Sequence, residues 1–410
     1  MYLRFQMISG WGNRAIKSST LPGFLAALVF SSSASAMQYF VYVGSYTAEP
    51  SSGTPPTLAA GRAAPSPSTS KGIYGWRFDT ITREVSPLGL VAETANPAQI
   101  SVSPNGKFLY AVNWQESSAA VSPGISAFAI DRKTGALTFL NKAGSAGELP
   151  NQVVLSPTGD VAAVVNYKTG NMALLPVRAN GSLGEPFAVS QSEGKPTSPR
   201  GDGPHAHGVI FTLDGRWLFE AELGLDRVYS FRIDSGRRAL TALDPAYVAL
   251  PVGSGPRRLQ LSPDQRFLYV NRQNDNKVSV FAIDQGRLSL VQEIDSDPKD
   301  TVHRGGSAEI QIDHDGRFLF VSLRGSSTIA VNAIDRSTGK LTLLENVPAR
   351  GVSPRNITIS PDNNFLFAAN QASNTITVFA IDHRTGHLDP VDAQMTVSQP
   401  GGISFVTLGD

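Results

Sequence analysis

The sequence predicts an all-β fold, a seven-bladed β-propeller with four antiparallel strands in each blade. Three observations lead to this prediction: a turn-centred octapeptide recurs at a nearly fixed period, partial repeats stand at both ends of the chain, and long helical patterns are absent. The octapeptides begin at positions 103, 156, 212, 262, 313 and 360, so successive starts lie 53, 56, 50, 51 and 47 residues apart. A period of about 50 residues with several short strands per unit is typical of propeller blades.

Each octapeptide is expected to form a tight turn between the first and second strands of a blade. In the first copy, β-branched residues precede the turn Ser103, Pro104, Asn105 and Gly106, and an apolar run begins at Phe108. Proline presets φ, and glycine or asparagine tolerates positive φ. Two apolar strands around such a turn form a hairpin.

A second motif completes the repeat unit. Predicted third strands with alternating apolar residues lie at 124–130, 278–283 and 376–381. Turns of the form Asp-Xxx-Xxx-Thr-Gly follow third strands at 131–135, 335–339 and 382–386. A fourth strand then begins near Leu137, Leu341 or Leu388. The unit therefore contains the four strands of one blade.

The two ends of the chain together supply the seventh blade. Residues 39–46, 72–78 and 87–91 resemble second, third and fourth strands without a first, and 401–408 resembles a first strand with nothing after it. We predict that the C-terminal strand pairs with the three N-terminal ones. Such closure removes the exposed sheet edges that invite aggregation.

Composition and charge restrict the possible partners. The 410 residues include 35 Lys and Arg against 34 Asp and Glu, a formal net charge of +1. Bulk electrostatics therefore favour neither nucleic acid nor an anionic membrane. The chain has no cysteine, which is compatible with an oxidising compartment but does not establish one. A monomer without a cofactor is expected.

The first 36 residues have the layout of a secretory signal peptide. A basic segment precedes an apolar run at 21–30, and the small residues 31–36 end in a cleavage pattern after Ala36. Ten apolar residues are too few to span a bilayer, which needs about 20. The mature protein is thus predicted to be periplasmic or secreted. If translation instead starts at Met37, the protein is cytoplasmic.

The mature chain, residues 37–410, is predicted to be one propeller domain. Residues 48–70 are rich in Pro, Ser, Thr, Ala and Gly, and they interrupt the first blade between its second and third strands. This composition predicts a flexible surface insertion without a necessary role in function.

Strand direction predicts where a ligand binds. Both turn motifs follow odd-numbered strands, so they lie on one face of the disc, and the polar segments before first strands lie on the other face. First strands line the central channel, so these segments converge at one axial mouth. A funnel with several convergent polar groups is the default ligand site. The residues predicted to gather there are His205, His207, Arg257, Arg258, Glu309, Arg355 and Asn356, with Arg324, Asn370 and Gln371 on the neighbouring loops.

Each of these residues also has a purely structural interpretation. The two histidines are ordinary polar groups beside a turn, or they share a strand face and point inward. Zinc held by this pair and Glu309 is conceivable, but the spacing is not diagnostic. The arginines either tie loops together or form an anion-binding cup, since the guanidinium fork matches carboxylate and phosphate. Glu309 is either an ion-pair partner or a general base.

The chain resembles the lactonase family of seven-bladed propellers, which includes bacterial 6-phosphogluconolactonase and fungal carboxy-muconate cyclase. The resemblance covers nearly the whole mature chain. It rests on an ordered set of motifs: TyrValGlySerTyrThr at 42–47, GlyProHisAlaHis at 203–207, GluLeuGlyLeuAspArg at 222–227, GlyProArg at 255–257, SerAlaGluIle at 307–310, ProArgAsn at 354–356 and AlaAsnGln at 369–371.

The resemblance implies hydrolysis of a small anionic sugar lactone without a required metal. Implied catalytic residues are His205, His207, Glu309 and Arg257, and implied substrate-binding residues are Arg258, Arg324, Arg355, Asn356, Asn370 and Gln371. The chain departs from the family pattern at three positions, where His, Glu and Asn are frequent: Arg258, Gln273 and Leu323. These departures favour a rival hypothesis, a non-catalytic propeller that binds a ligand or partner in the same funnel. A carboxymuconate-type lactone cyclase is a further alternative.

Overall fold

The computed structural model describes residues 37–47, 67–117, 122–197, 203–234, 236, 238–297 and 305–408. Within these residues, seven four-stranded antiparallel sheets form the blades of a propeller, which confirms the predicted fold class. The predicted signal peptide, 1–36, and most of the predicted insertion, 48–66, lie outside the described residues. The described part has no helix with the length and apolarity needed to cross a bilayer.

The blades are numbered from the one that joins the two ends of the chain. Blades 1 and 2 contain β28 (Pro400–Leu408), β1 (Gln38–Ser45), β2 (Gly72–Asp79) and β3 (Val85–Glu93); then β4 (Ile100–Val102), β5 (Phe108–Asn113), β6 (Gly124–Ile130) and β7 (Leu137–Gly144). Blades 3 and 4 contain β8 (Pro150–Leu155), β9 (Val161–Asn166), β10 (Asn171–Pro176) and β11 (Ala188–Gln191); then β12 (Ala206–Phe211), β13 (Trp217–Glu222), β14 (Arg227–Asp234) and β15 (Ala239–Ala249).

Blade 5 contains β16 (Pro256–Leu261), β17 (Phe267–Arg272), β18 (Lys277–Asp284) and β19 (Arg287–Asp295). Blade 6 contains β20 (Ser307–Ile312), β21 (Phe318–Leu323), β22 (Thr328–Ile334) and β23 (Leu341–Pro348). Blade 7 contains β24 (Pro354–Ile359), β25 (Phe365–Asn370), β26 (Thr375–Ile381) and β27 (Leu388–Thr396).

Blade 1 closes the ring as the sequence predicts. Strand β28 pairs antiparallel with β1, with Phe40 opposite Val406. The seam between blades 1 and 7 is apolar, because Phe78 packs edge-to-face against Phe365 and Phe367 with ring centroids 5.1 and 5.2 Å apart. The first strands contact one another in the order β28, β4, β8, β12, β16, β20, β24 and back to β28. They therefore surround the axis.

The core lies between neighbouring blades. Strands β9, β17, β21 and β25 are buried along their whole length, because each sheet is covered on both faces by adjacent blades. The fourth strands, such as β7 and β19, are half exposed and form the outer rim. Each fully buried Leu, Val or Phe contributes about 1.5–3 kcal/mol relative to exposure. The apolar seams thus fix the position of every first strand.

The turns after first strands share one hydrogen-bond pattern. In the first copy, the Ser103 hydroxyl accepts the N–H of Phe108 at 3.0 Å and donates to Asn105 Oδ1 at 2.7 Å. Gly106 then has φ +66°, a conformation that glycine adopts without strain. Ser262 and Ser360 make the same pair of bonds in their own turns. These contacts explain why the octapeptide recurs.

Six of the seven first strands, all except β4, begin with an irregularity that positions the site. The pairing with the second strand shifts register between Pro150 and Gln152, Ala206 and Gly208, Pro256 and Arg258, Ser307 and Ile310, and Pro354 and Asn356. β28 shows the same shift opposite β1. Bulges of this kind bend the strand and redirect side chains, and they are frequent beside active sites.

Candidate active site

The bulges, together with the segment before β4 in blade 2, bring two successive residues from every blade to the axis. The pairs, from blade 1 to blade 7, are Gly401 and Gly402, Ala98 and Gln99, Asn151 and Gln152, His207 and Gly208, Arg257 and Arg258, Ala308 and Glu309, and Arg355 and Asn356. A hollow of about 260 Å³, counted with its open mouth, lies among them. Its lining consists only of members of these pairs: Ala98, Gln99, Asn151, Arg257, Arg258, Glu309, Arg355, Asn356, Gly401 and Gly402.

Polar and charged side chains line one side of the hollow, and glycines line the other side. A Cβ added to Gly401 would overlap the Ala98 carbonyl, and one added to Gly208 would lie 2.5 Å from the Arg257 carbonyl. Neighbouring first strands therefore approach too closely for larger residues there. Gly401 and Gly402 thus leave the blade 1 side of the hollow without side chains. Blades 5 to 7 supply the charged groups.

Hydrogen bonds between neighbouring blades tie these residues into a ring. Gln99 Oε1 accepts the N–H of Val153 at 3.2 Å, and Gln152 Oε1 accepts that of Val209 at 3.0 Å. Asn356 Oδ1 accepts the N–H of Ile403 at 3.3 Å. Because each bond crosses from one blade to the next, the amides fix the relative height of the first strands.

His207 is buried and neutral. Its Nδ1 lies 2.8 Å from the Asn151 amide nitrogen and 3.4 Å from Arg258 Nη1, and both of these groups are donors. Nδ1 must therefore be the acceptor, which leaves the proton on Nε2. Burial and the charges of Arg257, Arg258 and Arg355 hold the pKa of His207 well below its ordinary value. The ring is a hydrogen-bond donor in a fixed orientation.

His205 is also buried, but it lies outside the bulge pairs and does not line the hollow. Its ring stacks on Tyr167 with centroids 4.4 Å apart and planes 4° apart. Its Nδ1 lies 2.9 Å from the Tyr167 carbonyl, so a neutral ring donates from Nδ1 and carries its lone pair on Nε2. The two histidines contact the same tyrosine but have opposite tautomers.

Arg257 and Arg324 share one neutral acceptor. Arg257 Nε donates to Gln273 Oε1 at 3.1 Å, and Arg324 Nη2 donates to the same oxygen at 2.8 Å. Arg257 also donates to the carbonyl of Ala308, and Arg324 to that of Gly306. Because Gln273 carries no charge, neither guanidinium is neutralised at this point. The family departure at Gln273 therefore makes the mouth more positive.

Arg258, Glu309 and Asn356 form the second polar group. Glu309 Oε2 accepts from the Asn356 amide at 3.0 Å and lies 3.4 Å from Arg258 Nε. Arg258 also donates to Gln152 Oε1 at 3.1 Å and to the His207 carbonyl. The only carboxylate in the lining is thus held by neighbours from the blades on both sides.

Arg355 is the least buried guanidinium of the lining. Its Cζ lies 5.2 Å from the ring centroid of Tyr46, a cation–π arrangement that orients the side chain without neutralising it. Arg257 and Arg258 are buried, whereas Arg355 is partly exposed. It is therefore the first cation that an anion entering the mouth would meet.

The lining carries an excess of positive charge. Three arginines and one glutamate give +3 − 1 = +2, and Arg324 adjoins them. Burial, followed by repulsion from Arg258 and Arg355, lowers the pKa of Arg257 well below its ordinary value. Burial likewise lowers the pKa of Arg258, although Glu309 acts in the opposite direction. An anion bound here would relieve this repulsion.

Asn370 and Gln371 are not brought into the hollow. The Asn370 amide donates to the Ala349 carbonyl at 3.3 Å and to the Thr377 hydroxyl at 3.1 Å. Asn113 and Asn166 end their own second strands and make equivalent bonds to preceding loops. Leu323 occupies this position in blade 6 and packs in an apolar cluster. The position thus serves the scaffold.

Sequence reasoning missed four residues of the ring. Asn151, Gln99, Gln152 and Gln273 were not chosen as site residues, although the first three directly precede the apolar part of a first strand. Their equivalence to the chosen arginines in the repeat was the available signal. For Gln273, the only indication in the sequence was that it departs from the family pattern.

A pair of buried glutamates lies behind His205. Glu222 accepts the N–H groups of His205 and Leu225, and burial raises its pKa to about 7. Glu220 is fully buried, and burial followed by the charge of Glu222 raises its pKa well above the ordinary value. His205 is therefore held by a carboxyl group that titrates near neutrality.

The described residues offer no three-ligand metal cluster at the mouth. One carboxylate oxygen each of Asp313 and Asp315 and one ring nitrogen of His383 lie within 4.8 Å of one another, at the far end of blade 6. The possible ligand atoms of His205, His207 and Glu309 do not all come this close to one another. The geometry gives no support to zinc held by those three.

The fold and the mouth define a closed β-propeller with a positively charged hollow on its axis. The model of the family described as "Lactonase, 7-bladed beta-propeller" matches residues 40–405. This chain belongs to that family, and it is an enzyme of the lactonase type.

Named relatives agree with this assignment. The 6-phosphogluconolactonase of Bacillus subtilis is 28% identical over 289 residues, which cover 70% of this chain and 80% of that protein. The 6-phosphogluconolactonase of Formosa agariphila is 30% identical over 294 residues, which cover 70% of this chain and 82% of that protein. The solved periplasmic gluconolactonase of Pseudomonas aeruginosa superposes with a TM-score of 0.80 at 31% identity, covering 91% of this chain and all of that one (100%).

Proposed function

We propose that the chain hydrolyses the ring ester of a small sugar lactone that carries an anionic group, and that the reaction takes place at the axial mouth. One observation carries this proposal: three guanidinium groups and one carboxylate line one hollow, and the neutral imidazole of His207 adjoins that lining through Asn151. The names of the relatives, 6-phosphogluconolactonase and gluconolactonase, support a sugar lactone as the substrate.

The arginines bind the substrate in this proposal. Arg355 and Arg258 hold its anionic group, because a guanidinium fork fits phosphate or carboxylate in a bidentate manner. Asn356 positions Glu309 through its amide, and Arg324 keeps Gln273 against Arg257. The uncompensated positive charge of the lining accounts for a preference for anionic lactones.

Water attack needs a base and a donor for the developing oxyanion. Glu309 is the proposed base, because its carboxylate lines the hollow. His207 Nε2–H and Arg257 stabilise the charge that develops on the ring carbonyl oxygen, and such preorganised donors contribute about 10²–10³ in kcat. His205 acts through Tyr167, whose ring contacts both imidazoles.

Kinetics of the purified full-length chain test the proposal. Wild type should open glucono-δ-lactone and its 6-phosphate faster than their spontaneous hydrolysis, with the higher kcat/KM for the phosphate. Glu309→Gln keeps the shape of the side chain but removes the base, so kcat should fall by about 10²–10⁴. Arg355→Ala should mainly raise KM for the phosphorylated substrate.

Glu185→Gln is the matched control, because Glu185 is exposed and belongs to no part of the mouth. The proposal fails if wild type leaves both lactones at their spontaneous rates, or if Glu309→Gln and Glu185→Gln are equally active.

Export remains part of the proposal. The signal-like segment 1–36 and the periplasmic name of the Pseudomonas neighbour support a periplasmic or secreted enzyme. Mass spectrometry of the N-terminus in separated periplasmic and cytoplasmic fractions tests this. We expect a start at Met37 in the periplasmic or secreted fraction, and a retained Met1, or a Met37 start confined to the cytoplasm, contradicts export.

A further inference from the structure

The turn after β20 differs from its five counterparts in one residue. The counterparts begin with a hydroxyl residue: Ser103, Ser156, Thr212, Ser262 and Ser360. Blade 6 begins this turn with Asp313 instead. Asp313 keeps half of the pattern, since its Oδ1 accepts the N–H groups of Arg317 at 2.6 Å and Phe318 at 2.8 Å.

The other half of the pattern is reversed. In two counterparts, Thr212 and Ser262 donate to Asp214 and Asp264 at 2.6 and 2.7 Å. Asp313 as a carboxylate has no proton to donate to Asp315, which occupies the same place in its turn. Two like charges thus meet where the other turns have a hydrogen bond.

The second oxygen of Asp313 has no partner. The residue is fully buried, and no hydrogen bond reaches its Oδ2 from the part of the chain that the structure describes. A buried acceptor without a donor is costly. Burial raises the pKa of this carboxyl group, as expected for an oxygen that lacks a compensating charge.

His383 presents a second acceptor to the same place. The Asn364 amide nitrogen donates to Asp362 Oδ2 at 2.9 Å, which turns the amide oxygen toward His383 Nε2 at 3.1 Å. That oxygen only accepts, so Nε2 carries the proton and Nδ1 carries the lone pair. Nδ1 is buried and has no hydrogen-bond partner among the described residues. A carbonyl on the remote ring nitrogen is the usual support of a metal-binding histidine.

We propose that Asp313, Asp315 and His383 bind one divalent transition-metal ion, Zn²⁺ or Mn²⁺, between blades 6 and 7. Their ligand atoms already lie within 4.8 Å of one another. Imidazole nitrogen with carboxylate oxygen suits these ions better than Ca²⁺, which takes six to eight oxygens. In the Asp-Xxx-Xxx-Thr-Gly turns at 131–135 and 335–339, the position of His383 is occupied by Arg132 and Arg336. In blade 7 a bound metal ion would supply the positive charge that arginine supplies at this position elsewhere.

Arg317 does not block this site. Its Nη2 lies 3.1 Å from Asp315 Oδ2, but both side chains are largely exposed, at 40% and 56%. Exposed pairs of this kind contribute little, about 0–1 kcal/mol. The second oxygen of Asp315 is available to a cation.

The site is structural and separate from the proposed chemistry. It lies just beyond the C-terminal end of β20, and Asp313 follows Glu309 by four residues, which is about 13 Å along an extended strand. The bound ion would tie the 313–317 turn of blade 6 to the 382–386 turn of blade 7. The proposal therefore stands or falls independently of lactone hydrolysis.

Titration of the full-length, chelator-treated protein with Zn²⁺, Mn²⁺ and Ca²⁺ tests the site. Calorimetry should show one saturable Zn²⁺ per chain, and the electron paramagnetic resonance signal of free Mn²⁺ should diminish to the same stoichiometry. Either ion should raise Tm by several degrees, and Ca²⁺ should have little effect. H383A and D315N should each weaken binding by about tenfold or more.

H387A is the matched control, because His387 lies on the same turn but contacts Glu345 instead of the cluster. It should bind as wild type does. Absence of saturable binding overturns the proposal, and so does unchanged affinity in H383A. A third result, no binding and a Tm that falls as pH rises, would show a proton between Asp313 and His383 and would equally overturn it.

Discussion

At the residue scale, the position of one proton or one lone pair determines which hydrogen bonds a side chain can make. His205 and His207 differ by two positions in the chain, yet their first partners are a carbonyl and an amide donor, so they hold their protons on opposite nitrogens. Asp313 replaces a hydroxyl and loses the proton that its counterparts donate. Such differences arise from the partners that folding supplies.

The buried carboxyl of Glu220 leads to a pH prediction. Its folded pKa is raised by burial, so its favourable contribution is present below the ordinary Glu pKa of about 4.3 and is lost as pH rises through the folded pKa. E220Q removes this titration. We therefore expect E220Q to raise Tm relative to wild type more at pH 8 than at pH 5.

Thermal unfolding of both proteins at the two pH values measures this difference. An equal change in Tm at pH 5 and pH 8 would show that Glu220 is not protonated in the folded state near neutrality. E93Q, at an exposed position, controls for the loss of one negative charge.

At the scale of strands, the repeated position at the end of each second strand decides between scaffold and site. Asn113 and Asn370 both donate to loop carbonyls and to a threonine hydroxyl. The sequence predicted substrate binding for Asn370 alone, because one motif suggested it and the equivalence with Asn113 was not considered. Strand position within the repeat indicates a scaffold role for Asn370, and substrate binding by this residue stays a prediction.

We predict that N370A and N113A destabilise the protein alike and leave KM unchanged. Each removes a buried amide that donates to a loop carbonyl and to a threonine hydroxyl, which costs about 1–3 kcal/mol in the free energy of unfolding. Denaturant unfolding and lactone kinetics on both variants check this. A higher KM in N370A but not in N113A would instead place Asn370 at the substrate.

The bulge at the start of each first strand explains what the sequence predicted well and what it did not. The apolar runs from Val153, Leu259 and Ile357 begin one residue after regular pairing resumes, so they indicated that the polar residues before them lie near the start of the strand. A bulge, however, is a shift of one residue, and no composition signal shows which side chain it turns inward. His205 was for that reason grouped with His207, although it lies outside the pair.

For the whole molecule, the period of about 50 residues was sufficient to predict seven blades and their closure by β28. This worked because blades 2 to 7 repeat similar turns after their first strands and all seven blades bury their second strands. The charge of the mouth depends instead on residues from blades 5 to 7 that meet only in the closed ring. A monomeric state and the lack of nucleic-acid binding stay predictions from composition.

The central claim is that the ring of bulge pairs forms the ligand site. A crystal structure of the full chain with 6-phosphogluconate, the product of the proposed reaction, tests it most directly. We expect the product to lie on the axis. Its phosphate should accept hydrogen bonds from Arg355 and Arg258, and its new carboxylate should lie within hydrogen-bond distance of His207 Nε2. Product bound at the outer rim or on the opposite face, with the axial hollow unoccupied at saturating concentration, would contradict it.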